Sequence, residues 1–322
     1  MKILITGGAG YIGSRLIGFL LGQGHKVAAI DNLIHDGESL LPYIGDRRFS
    51  FLKGDISNES DINRALTKDL DAVVHLAAIV GDPACKASPE IAAKTNWEGS
   101  KLLIDNAEKI GVKRFIFAST CSNYGKMKGV EALDENSELS PISLYAELKV
   151  KFEKYLLENE FDNTIPTILR FATVYGISPR MRFDLTVNHF TKDAFINKKL
   201  VVFGEQFWRP YCHVSDICRA IGLVLGSEEE KIRKNVFNVG SSNENYTKKM
   251  ICDEILKVMP STEIEYVKKD EDPRDYKVKF DKIKSVLGFN NAMTVSKGVD
   301  EVYRLLKNGI LSNPNNDKYA NS

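Results

Sequence analysis

Lys2-Ile3-Leu4-Ile5-Thr6-Gly7-Gly8-Ala9-Gly10-Tyr11-Ile12-Gly13, with Val27-Ala28-Ala29-Ile30-Asp31 behind it, decides the reading of this chain. A short apolar run of strand length meets a glycine turn, then an apolar-periodic stretch through Leu20 and Leu21, then a second apolar run closed by an acid. Each part has a physical task. The glycines permit a tight turn and let bare backbone approach a diphosphate. The helix start offers unpaired N–H groups and the positive end of its dipole to that anion. The acid closing the second strand can accept hydrogen bonds from both ribose hydroxyls. A glycine cluster alone is weak evidence, since it also makes plain turns; the strand, helix and acid around it make this a dinucleotide site. Gly7, Gly10, Tyr11, Ile12 and Gly13 are its expected lining. Asp31 favours NAD over NADP, because a carboxylate repels a ribose 2′-phosphate.

Outward from this unit, strand-like and helix-like segments alternate. Phe49 to Leu52 runs into Gly54-Asp55, and a helix-forming stretch spans Asn58 to Lys68. Short buried runs follow at Ala72–Leu76 and Arg114–Ala118, with a long helical pattern from about Pro89 to Ile110 between them. Residues from Ile142 to about Glu160 read as helix and Thr164 to Phe171 as strand. This alternation predicts an α/β protein with a doubly wound parallel sheet. The second half is less regular: helices near 184–197, 214–225 and 296–307, strands near 199–204 and 235–239. The expected division is a cofactor domain of residues 1–172 plus 207–239, an interleaved smaller substrate domain of 173–206 plus 240–311, and a polar tail, 312–322, that frays.

Bulk properties narrow the function classes. With 44 Lys and Arg against 43 Asp and Glu in 322 residues, nothing points to a nucleic-acid or acidic-membrane partner. No apolar run approaches the ~20 residues of a membrane span, and the chain enters its first strand without a basic-then-apolar leader. The cysteines, at 85, 121, 212, 218 and 252, are scattered, without a Cys-x-x-Cys pair. That fits a reducing cytoplasm with no disulfide framework and no metal site.

The chemistry is concentrated in two segments. Tyr145 and Lys149 stand four apart on a predicted helix, about one turn, and so share a face. A free phenol, with a pKa of about 10, is a poor base near neutrality; a neighbouring ammonium favours the phenolate. Spacing alone does not distinguish this pair from a surface tyrosine and a solvated lysine. The dinucleotide unit upstream, and hydroxyls in Ser119-Thr120-Cys121-Ser122 at a strand end where ligands sit in such folds, decide for a base that deprotonates a hydroxyl while hydride leaves the same carbon.

Together these pieces resemble the extended short-chain dehydrogenase/reductases, the NAD-dependent nucleotide-sugar epimerases and dehydratases that include UDP-galactose 4-epimerase. The resemblance runs from Met1 to about Phe289. It implies a ribose-binding turn at Asp31 and Asn32, an adenine-side turn at Asp55 and Ile56, and a strand end under the cofactor at Leu76-Ala77-Ala78. It gives Thr120, Tyr145 and Lys149 catalytic roles, with Lys149 also on the nicotinamide ribose. For the substrate it implies Val80, Ser122, Thr173, Arg182, Asn188, Arg209 and Arg274. Arg209 suits a diphosphate because its planar fork can donate two bonds. The partner implied is a nucleoside-diphosphate sugar, and the assembly a homodimer.

Departures matter equally. Dehydratases of this family carry an Asp-Glu pair directly after the catalytic threonine, and here Cys121 and Ser122 stand there, which argues strongly against 4,6-dehydration. Thr173 occupies a common asparagine position, and Asp272-Pro273-Arg274-Asp275 alters the family's Arg-x-Gly-Asp pattern. Val80–Cys85 and Ile177–Phe183 resemble a bacterial subgroup that oxidises the heptose of a GDP-linked sugar at carbon 4; Arg180 and Arg182 within it are equally consistent with solvent exposure. The leading expectation is a nucleotide-sugar 4-epimerase. Net carbon-4 oxidation or reduction comes second. A non-catalytic NAD-binding regulator comes last, since Thr120, Tyr145 and Lys149 are all present.

Overall fold

The computed structural model describes residues 1–127, 129, 131–272 and 274–321. In chain order its first elements are β1 (Lys2–Thr6), α1 (Tyr11–Gly22), β2 (Lys26–Asp31), β3 (Phe49–Lys53), α2 (Glu59–Ala65) and β4 (Ala72–His75). Then come α3 (Asp82–Ala87), α4 (Pro89–Ala93), α5 (Ser100–Ile110), β5 (Arg114–Thr120), α6 (Leu144–Glu158) and β6 (Ile165–Phe171). The second half holds β7 (Thr173–Tyr175), α7 (Thr186–Asn197), β8 (Lys199–Phe203), β9 (Trp208–His213), α8 (Val214–Gly226), α9 (Glu229–Ile232) and β10 (Asn235–Val239). It closes with β11 (Asn245–Thr247), α10 (Lys248–Val258), β12 (Glu263–Val267), α11 (Asp281–Leu287) and α12 (Val295–Lys307).

Seven strands form one parallel sheet in the order β10-β6-β5-β4-β1-β2-β3. The doubly wound α/β architecture is thus present. Strand order reverses between β1 and β4, so a crevice opens beyond their C-terminal ends, where ligands bind in such sheets. Ile3, Leu4 and Ile5 of β1 are all fully buried. Ile3 and Ile5 face one core and Leu4 the other, which is why the strand reads as a continuous apolar run.

Two smaller sheets, β11-β9-β7 and β12-β8, carry the second region. Segment 207–239 is split by these pairings: β9 hydrogen-bonds within the smaller set and β10 at the edge of the large sheet. Tyr11 ties the regions together, its hydroxyl donating 2.6 Å to the Gly176 carbonyl.

Two local departures from the sequence reading shape the site. The long helix expected from Pro89 to Ile110 contains a π-helical turn, Lys94–Gly99, between α4 and α5. The tail expected to fray is packed: the Phe183 N–H donates to the Tyr319 carbonyl at 2.8 Å, and the two rings meet edge to face. An aromatic side chain and satisfied backbone outweigh the polar composition there. Among the described residues no helix is long and apolar enough to cross a membrane.

Candidate active site

The crevice is a cleft of about 670 Å³ lined from both regions. Its floor is the glycine turn. Gly7 has φ +72°, and a Cβ on it would lie 2.8 Å from the Ala77 nitrogen. A Cβ on Gly13 would lie 2.1 Å from the Gly7 carbonyl oxygen. Side chains are therefore excluded where a diphosphate must approach backbone, and α1 begins there with Gly10 at its N-cap and no side-chain cap. These residues fit a dinucleotide.

Asp31 ends β2 on the same cleft. Its carboxylate accepts from the Ala9 N–H at 3.0 Å and the Leu33 N–H at 2.8 Å. Burial raises its pKa above the ordinary carboxylate value, against those two bonds. Asn32 donates 3.0 Å to Asp55, and both line the cleft with Ile56. Leu76, Ala77 and Ala78 follow β4 along its wall. Beneath them His75, held between Thr6 Oγ1 at 2.7 Å and Ser100 Oγ at 2.8 Å, is driven down to about 3 by burial and is neutral.

Thr120, Tyr145 and Lys149 line the same cleft. Thr120 ends β5, and its Oγ1 accepts from the Ser122 N–H at 3.1 Å. Ser143 caps α6, which carries the other two. The Lys149 ammonium donates 2.8 Å to the Ala118 carbonyl and lies 5.8 Å from the centre of the Tyr145 ring. Burial lowers Lys149 to about 8, against the Cys85 and Glu153 charges. Tyr145 itself is pushed above its ordinary value, first by burial and then by Cys85, against Arg182. The expectation of a lysine-lowered phenol is therefore not met in the protein alone: desolvation of the phenolate is larger than the attraction of nearby cations. Behind this wall, Glu153 is buried with Arg170 at 2.6 Å and accepts from Asn123 and Ser119, which fixes α6 against β5.

Cys121 turns inward, fully buried, with its thiol on the Arg170 carbonyl. Ser122 faces the cleft. Neither offers a carboxyl beside Thr120.

The substrate side is built from charged side chains that are already paired. Arg209 donates 2.9 Å to the buried Asp272, Arg274 donates 3.1 Å to Asp82, and Arg182 holds Asp184 through two bonds of 2.9 and 2.5 Å. An anionic ligand must compete with, or slip between, these carboxylates. Val80 and Thr173 complete the expected lining on the cleft wall. Pro273 lies outside the described residues.

Asn188 is the exception. It is fully buried and absent from the cleft wall. Its oxygen accepts from the Gly176 N–H at 2.9 Å, and its amide donates to the Arg182 carbonyl at 2.9 Å and the Gly176 carbonyl at 3.2 Å. In this structure its side chain is engaged by backbone of the loop that carries Arg180 and Arg182. Sequence reasoning also missed cleft residues. Lys248, whose ammonium burial holds below its ordinary value, Tyr276, Thr95 and Asn321 all line it. Only Thr95 had a local sign, in the helix that follows a strand end.

The comparisons agree with this geometry. Residues 3–240 match the model of the NAD dependent epimerase/dehydratase family. The chain belongs to that family: NAD-dependent enzymes of nucleotide sugars that include epimerases, dehydratases and decarboxylases. Its cofactor is NAD. It is 35% identical over 240 residues to an uncharacterized UDP-glucose epimerase of Bacillus subtilis, covering 70% of this chain and 73% of that one. It is 30% identical to the dTDP-glucose 4,6-dehydratase of Streptomyces niveus, covering 94% and 91%. Among solved structures, the UDP-glucose 4-epimerase of Thermotoga maritima with UDP-glucose matches at a TM-score of 0.85 and 29% identity, covering 97% of this chain and 100% of that one.

Proposed function

We propose that the protein is a nucleoside-diphosphate-sugar 4-epimerase. The observation that carries this reading is the meeting of Thr120, Tyr145 and Lys149 on one cleft with no carboxyl group beside Thr120. Tyr145 accepts the proton of the carbon-4 hydroxyl and later returns it. Thr120 holds the same sugar oxygen with its hydroxyl. Lys149, at about 8, carries positive charge near neutrality and favours the phenolate as the proton moves. NAD held over the glycine turn would supply the hydride acceptor, and the returning donor, for carbon 4. Arg209 and Arg274 grip the sugar's diphosphate, displacing their hold on Asp272 and Asp82.

The missing acid supports epimerisation over dehydration, because elimination of the carbon-6 hydroxyl needs a proton donor at the leaving oxygen. Net oxidation or reduction at carbon 4 is the second reading; Val80–Ala84, Arg180 and Arg182, from the segments that resemble GDP-heptose enzymes, all line the cleft. Incubation with UDP-, GDP-, TDP- and CDP-sugars, followed at 340 nm and by NMR of the sugars, separates the two. Inverted sugar without NADH accumulation is expected; NADH accumulating with a 4-keto sugar would overturn epimerisation. We also propose a cytoplasmic homodimer, paired through α5 and α6 as the family resemblance implies, with sedimentation velocity as the check on its mass.

A further inference from the structure

Arg180 is the one cleft-lining cation whose guanidinium is both buried and largely unengaged among the described residues. It is 6% exposed. Its Nη2 donates 3.0 Å to the Ala320 carbonyl, and its Nε is buried with no hydrogen-bond partner. The contrast with its neighbours is plain: Arg182, Arg209 and Arg274 each hold a carboxylate, whereas Arg180 forms no ion pair among the described residues. Leaving a buried cation without a partner is costly, and burial lowers its pKa, only partly offset by Asp184, Asp36 and Asp31.

Its position is fixed from two sides. The Arg180 N–H donates to Ser14 Oγ at 3.4 Å, and Ser178 bonds both Ser14 Oγ at 3.1 Å and the Tyr11 carbonyl at 2.6 Å. The segment 178–180 therefore lies along the first turn of α1, a 12-residue helix whose N-terminus carries no side-chain cap. From the other side the Tyr319–Ala320 tail is seated on Phe183 and on the guanidinium itself. Arg180 thus stands on the cleft beside the first turn of α1, with Asp31 at the end of β2 among the charges nearest it.

We propose that Arg180 is a ligand for the diphosphate of the bound dinucleotide, closing on it from beside the first turn of α1, with the Ala320 carbonyl holding the other edge of the fork. Backbone N–H groups and one guanidinium then share the two negative charges, and the orphaned donor gains its acceptor. The inference rests on the dinucleotide lying over the glycine turn.

The test is isothermal titration of nucleotide-stripped protein with NAD, ADP-ribose and adenosine, alongside the thermal midpoint of the ligand-free protein. Arg180→Ala is expected to weaken NAD and ADP-ribose at least tenfold and to leave adenosine within twofold. Arg180→Gln, which keeps a donor for Ala320 but no charge, is expected to show the same pattern with a wild-type midpoint, and carries the test if the alanine variant does not fold. NAD affinity within twofold of wild type, or an equal loss for adenosine, would overturn the assignment. If the unaltered protein bound no ADP-ribose, the reading of the glycine turn would fall first.

Discussion

The two walls of the cleft are made of different material. The cofactor wall is backbone: Gly7 and Gly13 admit no side chain, and the groups facing a ligand there are N–H donors at the start of α1. The substrate wall is a set of long charged side chains, of which Arg182, Arg209 and Arg274 are each occupied by a carboxylate before any ligand arrives. Backbone in a close-packed turn is set in place by folding and costs little to hold ready. Paired arginines must exchange one anion for another, so their contribution to binding is a difference between two charge-assisted contacts. The first wall recognises an invariant cofactor; the second can be retuned between sugars.

The hinge of the comparison is Tyr145, which faces both. Tyr145→Phe is expected to lower turnover roughly 100- to 10,000-fold, the usual share of a positioned acid–base, with NAD affinity retained. Activity surviving in that variant would remove the proposed chemistry. Next comes Gly13→Ala. The clash with the Gly7 carbonyl should cost about 1–3 kcal/mol, roughly 5- to 150-fold in NAD affinity, read by titration; unchanged affinity would mean the turn is not the cofactor wall.

Asn188→Leu probes what lies behind the substrate wall. Removing its bonds to Gly176 and Arg182 leaves buried backbone groups unpaired, about 1–3 kcal/mol of stability, visible in the denaturation midpoint. A change in KM alone, without loss of stability, would restore Asn188 to the binding surface.

Lys149 gives a pH signature. Its folded pKa of about 8 lies below the ordinary 10.5, so between those values the unfolded chain binds more protons and stability rises with pH, by up to about 1.4 kcal/mol per unit. The nucleotide-free protein should therefore lose part of its stability gain between pH 8 and 10.5 in Lys149→Met. The smallest effect is Arg274→Ala. Its pair with Asp82 is half-exposed, so stability should move by less than about 1 kcal/mol, while KM for a nucleotide sugar rises. A large fall in stability would show that this pair clamps the two regions.

The same difference explains what could be read from the chain. The cofactor wall is encoded within thirty-one consecutive residues, so strand, turn, helix and acid were all legible at Lys2–Asp31. The Tyr145–Lys149 pair is likewise local to one helix turn. The substrate wall brings Arg182, Lys248, Asp272, Tyr276 and Asn321 together from distant segments, and no local spacing announces that. The burial of Asn188 was not legible, because a buried amide and a ligand-facing one look alike in sequence. The strands β7, β9 and β11 escaped because they find their partners only across the fold, while β1 to β6, apart from β2 and β3, alternate with helices in order. The tail was taken for a frayed end because its polar composition hides the one aromatic, Tyr319, that seats it.

The π turn at Lys94–Gly99 gives one helix two orientations. Asn96 in that turn clasps Ile79 through two bonds of 2.8 and 2.9 Å, and beyond it Leu103, Ile104 and Ala107 are buried in the core behind the sheet. One residue is about 100° of rotation in a regular helix. Shortening the chain by a single residue there would keep the core face of α5 in phase but swing Thr95 around the axis, away from the cleft, and pull Asn96 off Ile79. The widened turn works as a phase shifter, letting a packing surface and a ligand-facing surface be altered independently along the same rod.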